Sequence, residues 1–150
     1  KPCIGQLMDI FYKYESPVLA LMPVPREEVS SFGVVDGVKV NGRIYAIKNL
    51  VEKPKMEEAP SNLIIVGKYV ITPAVFDELE KVVPGKDGEI RLADALSGML
   101  AKKAVYGYEF EGQRYDCGSK LGFLEATVDY ALKHPEVKDA FREFLKGKEL

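Results

Sequence analysis

Asn62-Leu63-Ile64-Ile65-Val66-Gly67-Lys68-Tyr69-Val70-Ile71 (NLIIVGKYVI) is the most strand-like run in the chain. β-Branched and aromatic side chains dominate it, and these suit a pleated surface. Thr72-Pro73 follows at once, an N-cap residue and a first-turn proline. Residues 74–82 then carry an amphipathic helical pattern. A strand that runs directly into a helix is the unit of a layered α/β fold. Gly67 inside the strand marks a close approach of a ligand or of another backbone.

Upstream, residues 3–14 have apolar side chains at Ile4, Leu7, Met8, Ile10 and Phe11, which is helical spacing. Residues 17–24 (PVLALMPV) form a short apolar run between prolines, the pattern of a buried strand in a parallel sheet. Residues 25–29 read as a helical turn. Residues 32–40 alternate around Gly33 and Gly37 and predict strand, turn, strand. Residues 43–51 predict another strand, and residues 53–60 an exposed loop. Downstream, the pattern predicts a turn over 84–88, a helix over 92–103 and a strand over 104–110. Two final helices are predicted, over 119–134 and 137–145. Leu121, Phe123, Leu124, Val128, Ala131 and Leu132 share a broad face on the first of these. The alternation of strands and helices gives the α/β class. Neither repeats nor a strong domain boundary stand out, so residues 1–150 read as one portion of a domain.

Composition narrows the function classes. The hydrophobic fraction is 47% and the charged fraction 29% of 150 residues, both ordinary for a globular chain. A net charge of −2 with mixed signs offers no basic face for nucleic acid. No apolar run approaches the roughly 20 residues of a membrane-spanning helix. Two distant cysteines, Cys3 and Cys117, exclude a disulfide scaffold and suit a reducing cytoplasm. The single histidine, His134, argues against a histidine-based zinc site or triad. The opening Lys1-Pro2, directly ahead of a helix, suggests a piece of a longer chain.

Two segments carry candidate chemistry. Val51-Glu52-Lys53-Pro54 ends a strand in a carboxylate, an ammonium and a proline that stops the ladder. A carboxylate accepts hydrogen bonds from hydroxyls, and an ammonium neutralises a phosphate. A bend at Pro54 would bring both to one cleft; two solvated charges at a strand end is the commoner arrangement. Tyr115-Asp116-Cys117-Gly118-Ser119 places an aspartate between a strand and a helix start. There Asp116 could be one of the one or two carboxylates that Mg²⁺ takes, or Asp116 or Ser119 could cap the helix. Gly33 offers bare backbone to a sugar ring, or marks a bulge. Asn62 could bond a hydroxyl or cap its loop. Cys117 reads as a small buried residue.

The order of these segments is more specific than any one of them. Phe32-Gly33-Val34-Val35-Asp36-Gly37, Val51-Glu52-Lys53-Pro54, Ala59-Pro60-Ser61-Asn62-Leu63, Gly88-Glu89-Ile90-Arg91-Leu92 and Tyr115-Asp116-Cys117-Gly118 follow one another. Together they resemble the bacterial UTP–glucose-1-phosphate uridylyltransferases, from about residue 18 to residue 134. The resemblance implies a Rossmann-like α/β/α nucleotidyltransferase fold with a mixed sheet. The nucleotide-binding half would be absent, and the chain alone inactive. It implies that Glu52 meets sugar hydroxyls and that Lys53 meets the sugar phosphate. Gly33 and Ile65 would lie against the sugar, and Asp116 would hold Mg²⁺. The substrates implied are glucose 1-phosphate and UTP, and the product is UDP-glucose. By the periodicity of Phe141, Phe144 and Leu145 the final helices could form the face of a homo-oligomer, or pack on their own core. Ser119 and Ala93 depart from the family's usual Asp or Asn and Thr. Alternatives are a sugar-phosphate-binding or oligomerisation module without catalysis, and a related transferase using another nucleotide.

Overall fold

The computed structural model describes residues 1–85 and 88–148. The chain divides into two compact units, Lys1–Gly112 and Gln113–Leu150. The sequence pattern showed no such boundary, because Gly112-Gln113 is a short turn like several others.

The first unit contains α1 (Cys3–Tyr14), β1 (Val18–Pro23), β2 (Gly33–Asn41), β3 (Ile44–Glu52), β4 (Leu63–Val70), α2 (Pro73–Leu79), α3 (Leu92–Leu100) and β5 (Tyr106–Glu109). Short 3₁₀ turns at Arg26–Ser31 and Met56–Glu58 join β1 to β2 and β3 to β4. The strands lie in the order β1-β4-β2-β3-β5, and β5 returns to pair with β1, closing the circuit. The β1–β5 pair is parallel and the others are antiparallel. The expected α/β class with a mixed sheet is therefore present.

β1 shows why its residues read as buried. Val18, Leu19, Ala20 and Leu21 are all fully buried. Successive strand residues face opposite ways. Val18 and Ala20 join a cluster with Leu7 and Ile10 of α1, whereas Leu19 and Leu21 join Val75, Leu96 and Met99 of α2 and α3. Helices cover both faces. The run predicted a parallel neighbour, and β5 on one side is parallel, whereas β4 on the other is antiparallel. Continuous burial reports two covered faces, not strand direction.

Several expectations change in detail. Residues 33–41 form one strand, not strand-turn-strand, because Gly37 sits at a register shift against β3. The hairpin turn comes later, at Gly42 with φ +51°. Gly67 has φ +75°, and a Cβ there would meet nothing within 4 Å. It therefore serves an irregular strand geometry, and no other backbone approaches its Cβ position. Thr72 takes the N-cap position of α2, but its buried Oγ1 has no hydrogen-bond partner among the described residues. Pro54 and Ala59 are buried within the loop expected to be exposed. The turn predicted over 84–88 includes Lys86 and Asp87, outside the described residues; Gly88 N–H donates to Gly85 O at 2.9 Å.

The second unit holds α4 (Lys120–Lys133) and α5 (Lys138–Lys146). Ser119 caps α4, accepting from Gly122 N–H at 3.0 Å. Pro135 follows the end of α4, where a proline ends a helix most readily.

Candidate functional site

The ends of three strands build the candidate site in the first unit. Antiparallel register sets Gly33, the first residue of β2, directly opposite Glu52, the last of β3. Val34 pairs with Ile64, which draws β4 alongside β2. Ile64 turns into one apolar cluster and Ile65 into the other, as strand alternation requires. Glu52, Gly33 and Ile65 consequently meet. A Cβ on Gly33 would stand 2.9 Å from Glu52 Oε2 and 3.4 Å from Ile65 Cδ1.

Lys53 ends the strand by its backbone. Its φ is +44°, and Lys53 N–H donates to Phe32 O at 3.0 Å. A left-handed conformation costs a non-glycine residue about 1–2 kcal/mol, so a lysine there is held against its preference. The chain thus turns one residue before the bend expected at Pro54. Glu52 and Lys53 are both exposed, and neither has an ion-pair partner among the described residues. They present charges that a ligand could meet without displacing a protein partner.

Four hydrogen bonds strap the loop that follows. Arg26 donates to Ala59 O at 2.8 Å and Ser61 Oγ to Val35 O at 2.6 Å. Asn62 Nδ2 donates to Val24 O at 3.2 Å, and Val24 N–H returns one to Asn62 O at 3.0 Å. The amide nitrogen of Asn62 therefore performs the loop-capping alternative, and the side chain remains exposed at the start of β4.

Tyr69 escaped the sequence reading. It packs against the cluster that contains Ile65. Burial first, and then the negative charge of Glu52, push its phenol above the ordinary value of 10. The only sequence signal is an aromatic residue four positions after Ile65, beyond the irregular turn at Gly67.

Asp116 belongs to the second unit and sits in the turn ahead of α4. Its Oδ1 accepts from Gly118 N–H at 3.1 Å, and its Oδ2 lies 3.2 Å from an Arg114 guanidinium nitrogen. Its backbone oxygen accepts from Ser119 N–H and from Ser119 Oγ, both at 3.1 Å. A Cβ at Gly122 would come within 2.3 Å of that oxygen, so glycine is required for the turn to close on the helix. Ser119 takes the capping role, which leaves the Asp116 carboxylate exposed at the helix start. Cys117 is exposed, not buried as expected, because its neighbours form this surface turn. Among the described residues no group of three or more His, Cys, Asp or Glu side chains could hold a metal ion. No helix among them is long and apolar enough to cross a membrane.

Comparison with known proteins places this arrangement in context. A family model described as Nucleotidyl transferase matches residues 4–133. The UTP–glucose-1-phosphate uridylyltransferase of Streptococcus pneumoniae serotype 4 is 45% identical over 153 residues, covering 99% of this chain and 51% of that protein. The enzyme of the same name from Staphylococcus epidermidis is 45% identical over 145 residues, covering 97% and 50%. A UDP-glucose pyrophosphorylase solved with UDP-glucose superimposes with TM-score 0.83 at 41% identity, covering 88% of this chain and 50% of that one. A UTP-bound enzyme of this type from Acinetobacter baumannii gives TM-score 0.84 at 31% identity, covering 97% and 50%. The chain spans about half the length of the curated relatives it matches. With a family match over most of its length and the strand-end cluster in place, the chain belongs to the nucleotidyl transferase family.

Proposed function

We propose that this chain supplies the glucose 1-phosphate site of a UTP–glucose-1-phosphate uridylyltransferase. The meeting of Glu52, Gly33 and Ile65 at the ends of three strands carries the reading. Glu52 accepts hydrogen bonds from sugar hydroxyls, and Gly33 and Ile65 line the ring. Asn62, at the start of β4, offers its amide to a further hydroxyl. Lys53 neutralises the phosphate, and its left-handed backbone fixes the exit of β3. In the reaction a phosphate oxygen of glucose 1-phosphate attacks the α-phosphorus of UTP. The bond from that phosphorus to the bridging oxygen breaks, and pyrophosphate leaves. Lys53 does no covalent chemistry; holding and neutralising the attacking phosphate lowers the barrier by positioning and charge.

Asp116 suits Mg²⁺ as a single exposed carboxylate, since this ion takes one or two carboxylates together with phosphate oxygens and water. When bound, the ion would neutralise phosphate charge. The reading assigns Asp116 to the metal and Glu52 with Lys53 to the sugar phosphate. It also includes a cytoplasmic setting and a homo-oligomer formed through α4 and α5, whose Leu121, Phe123, Leu124 and Phe144 are exposed.

Calorimetry with glucose 1-phosphate and UTP, offered separately, tests the site. Lys53→Ala weakens glucose 1-phosphate binding by about tenfold or more, as loss of a charged hydrogen bond does, with a smaller effect on UTP. Equal losses for the two ligands would remove Lys53 from this role. Light scattering tests the oligomer, and a monomer at working concentration rejects it.

A further inference from the structure

We propose that Gly33 is a positioning residue for Glu52: the volume where a side chain would begin at Gly33 is the seat of the Glu52 carboxylate. The proposal deepens the sugar-phosphate reading and rests on it for the role of Glu52. Two kinds of glycine in this unit show the distinction. Gly67 has φ +75° and open space where its Cβ would be, so it is there for its backbone. Gly33 is the reverse. It is not among the residues of positive φ, so its backbone conformation is open to any residue. Its Cβ position, however, is taken: Glu52 Oε2 lies 2.9 Å away and Ile65 Cδ1 3.4 Å away.

The register explains how this arises. Gly33 and Glu52 are direct partners across β2 and β3, and directly opposed side chains lie on the same face. With no side chain on Gly33, the glutamate folds across the neighbouring strand, its carboxylate resting beside Ile65. A flexible exposed side chain thereby places its charge over β2, where no side chain of Gly33 competes for the space. A sugar hydroxyl that finds Glu52 meets an acceptor already in position, which lowers the ordering cost of binding.

The obstruction also predicts how the arrangement fails. At Gly107 a Cβ would run into Leu21 at 2.3 Å and into Ile47 at 2.9 Å, both in the core, so substitution there damages the fold. At Gly33 the closest atom is the tip of an exposed glutamate, which can swing away. Gly33→Ala should therefore fold and melt like the parent, yet bind like a protein whose Glu52 carboxylate is misplaced.

A double-mutant cycle in the full chain tests this, with Gly33→Ala, Glu52→Gln and the pair together. Tyrosine labelled at Cζ and followed by carbon NMR reads the Tyr69 phenol, assigned through Tyr69→Phe. Gly33→Ala is expected to shift the Tyr69 titration in the parent and to leave it unchanged once Glu52 is glutamine. Glucose 1-phosphate calorimetry should show a loss of about tenfold for Gly33→Ala alone, the scale of a charged hydrogen bond, with little further loss in the Glu52→Gln background. An unmoved Tyr69 titration in Gly33→Ala, or full additivity of the two binding losses, overturns the proposal; additivity would mean that the glycine acts only as bare backbone against the ring. A large drop in melting temperature for Gly33→Ala also overturns it, since more than a carboxylate would then fill the space. If Glu52→Gln leaves sugar-phosphate binding intact, the sugar-site reading fails, and the Tyr69 cycle still decides the role of Gly33.

Discussion

β1 and α5 are both short, and both carry a strong apolar signal, yet their side chains meet opposite fates. Four consecutive residues of β1 are fully buried between α1 on one face and α2 with α3 on the other. α5 carries Phe141, Phe144 and Leu145 at helical spacing but has no buried residue. The two segments represent their units. Lys1–Gly112 contains three apolar clusters, one of them reaching from β1 to α3. Among the described residues of the second unit only Gly122 and Ala126 of α4 are buried, and Leu121, Leu124 and Phe123 are exposed by 67%, 58% and 57%. Amphipathic patterning tells which face of an element is adhesive. Whether that face is covered depends on what lies against it.

The sharpest way to break this contrast is to remove apolar volume from each region. Leu21→Ala leaves a cavity at the centre of the first unit and should lower the unfolding free energy by about 2–5 kcal/mol, measured by urea denaturation. Phe144→Ala should change it by less than about 0.5 kcal/mol, as exposed substitutions do. A cost of several kcal/mol at Phe144 would show that α5 is covered in solution, and the contrast would fall. Lys53→Gly relieves the left-handed backbone while keeping the turn. It should raise stability by up to about 1 kcal/mol, after the entropy that glycine adds to the unfolded chain. It would also abolish the binding contribution of the ammonium. A marked loss of stability would mean that the lysine side chain, not its backbone, holds the strand end.

Electrostatic contacts sharpen the comparison more gently. Glu78 on α2 meets Lys102 at 2.6 Å and Lys81 at 3.0 Å, tying α2 to the segment after α3. Hydrogen bonds from Lys102 and then Lys81 hold its carboxyl below the ordinary 4.5. A carboxyl lowered by folding stabilises the protein above its unfolded value, and the benefit is lost as pH falls through the folded one. Glu78→Gln should therefore melt below the parent at neutral pH, with the gap closing in acid beneath pH 4.5. A pH-independent gap would assign the effect to packing. In the second unit the Tyr115 hydroxyl donates to Asp129, and that bond first, then burial, pushes the phenol from 10 up to about 12. A raised value reverses the window: the contribution is complete below pH 10 and is lost as pH climbs toward 12. Tyr115→Phe should remove this alkaline sensitivity, which thermal melts across that range would show.

Much of the site was legible because its signals are local. Glu52-Lys53-Pro54 announces a strand end bearing two charges, and Ser119 announces a helix cap. Tyr69 was not legible, since its link to Glu52 crosses between strands and passes an irregular stretch of β4. Gly33 was legible as a glycine of consequence, but its position opposite Glu52 was not. Bare backbone and borrowed space look alike in a string of letters. Cys117 was misread because an apolar thiol beside a helix start is usually buried, and here the Asp116–Ser119 turn carries it outward.

The sequence by itself determined the elements and their faces: the periodicity of α1, the double-sided burial of β1, the strand of β4 and the helix that follows Thr72-Pro73. These follow from side-chain shape, spacing and the fixed backbone of proline, all read within a few residues. Only the tertiary structure decided strand direction, the opposition of Gly33 and Glu52 across the β2–β3 register, and which apolar faces find a cover. Those depend on pairing between residues far apart in the chain, and a register is set by the packing of the whole sheet.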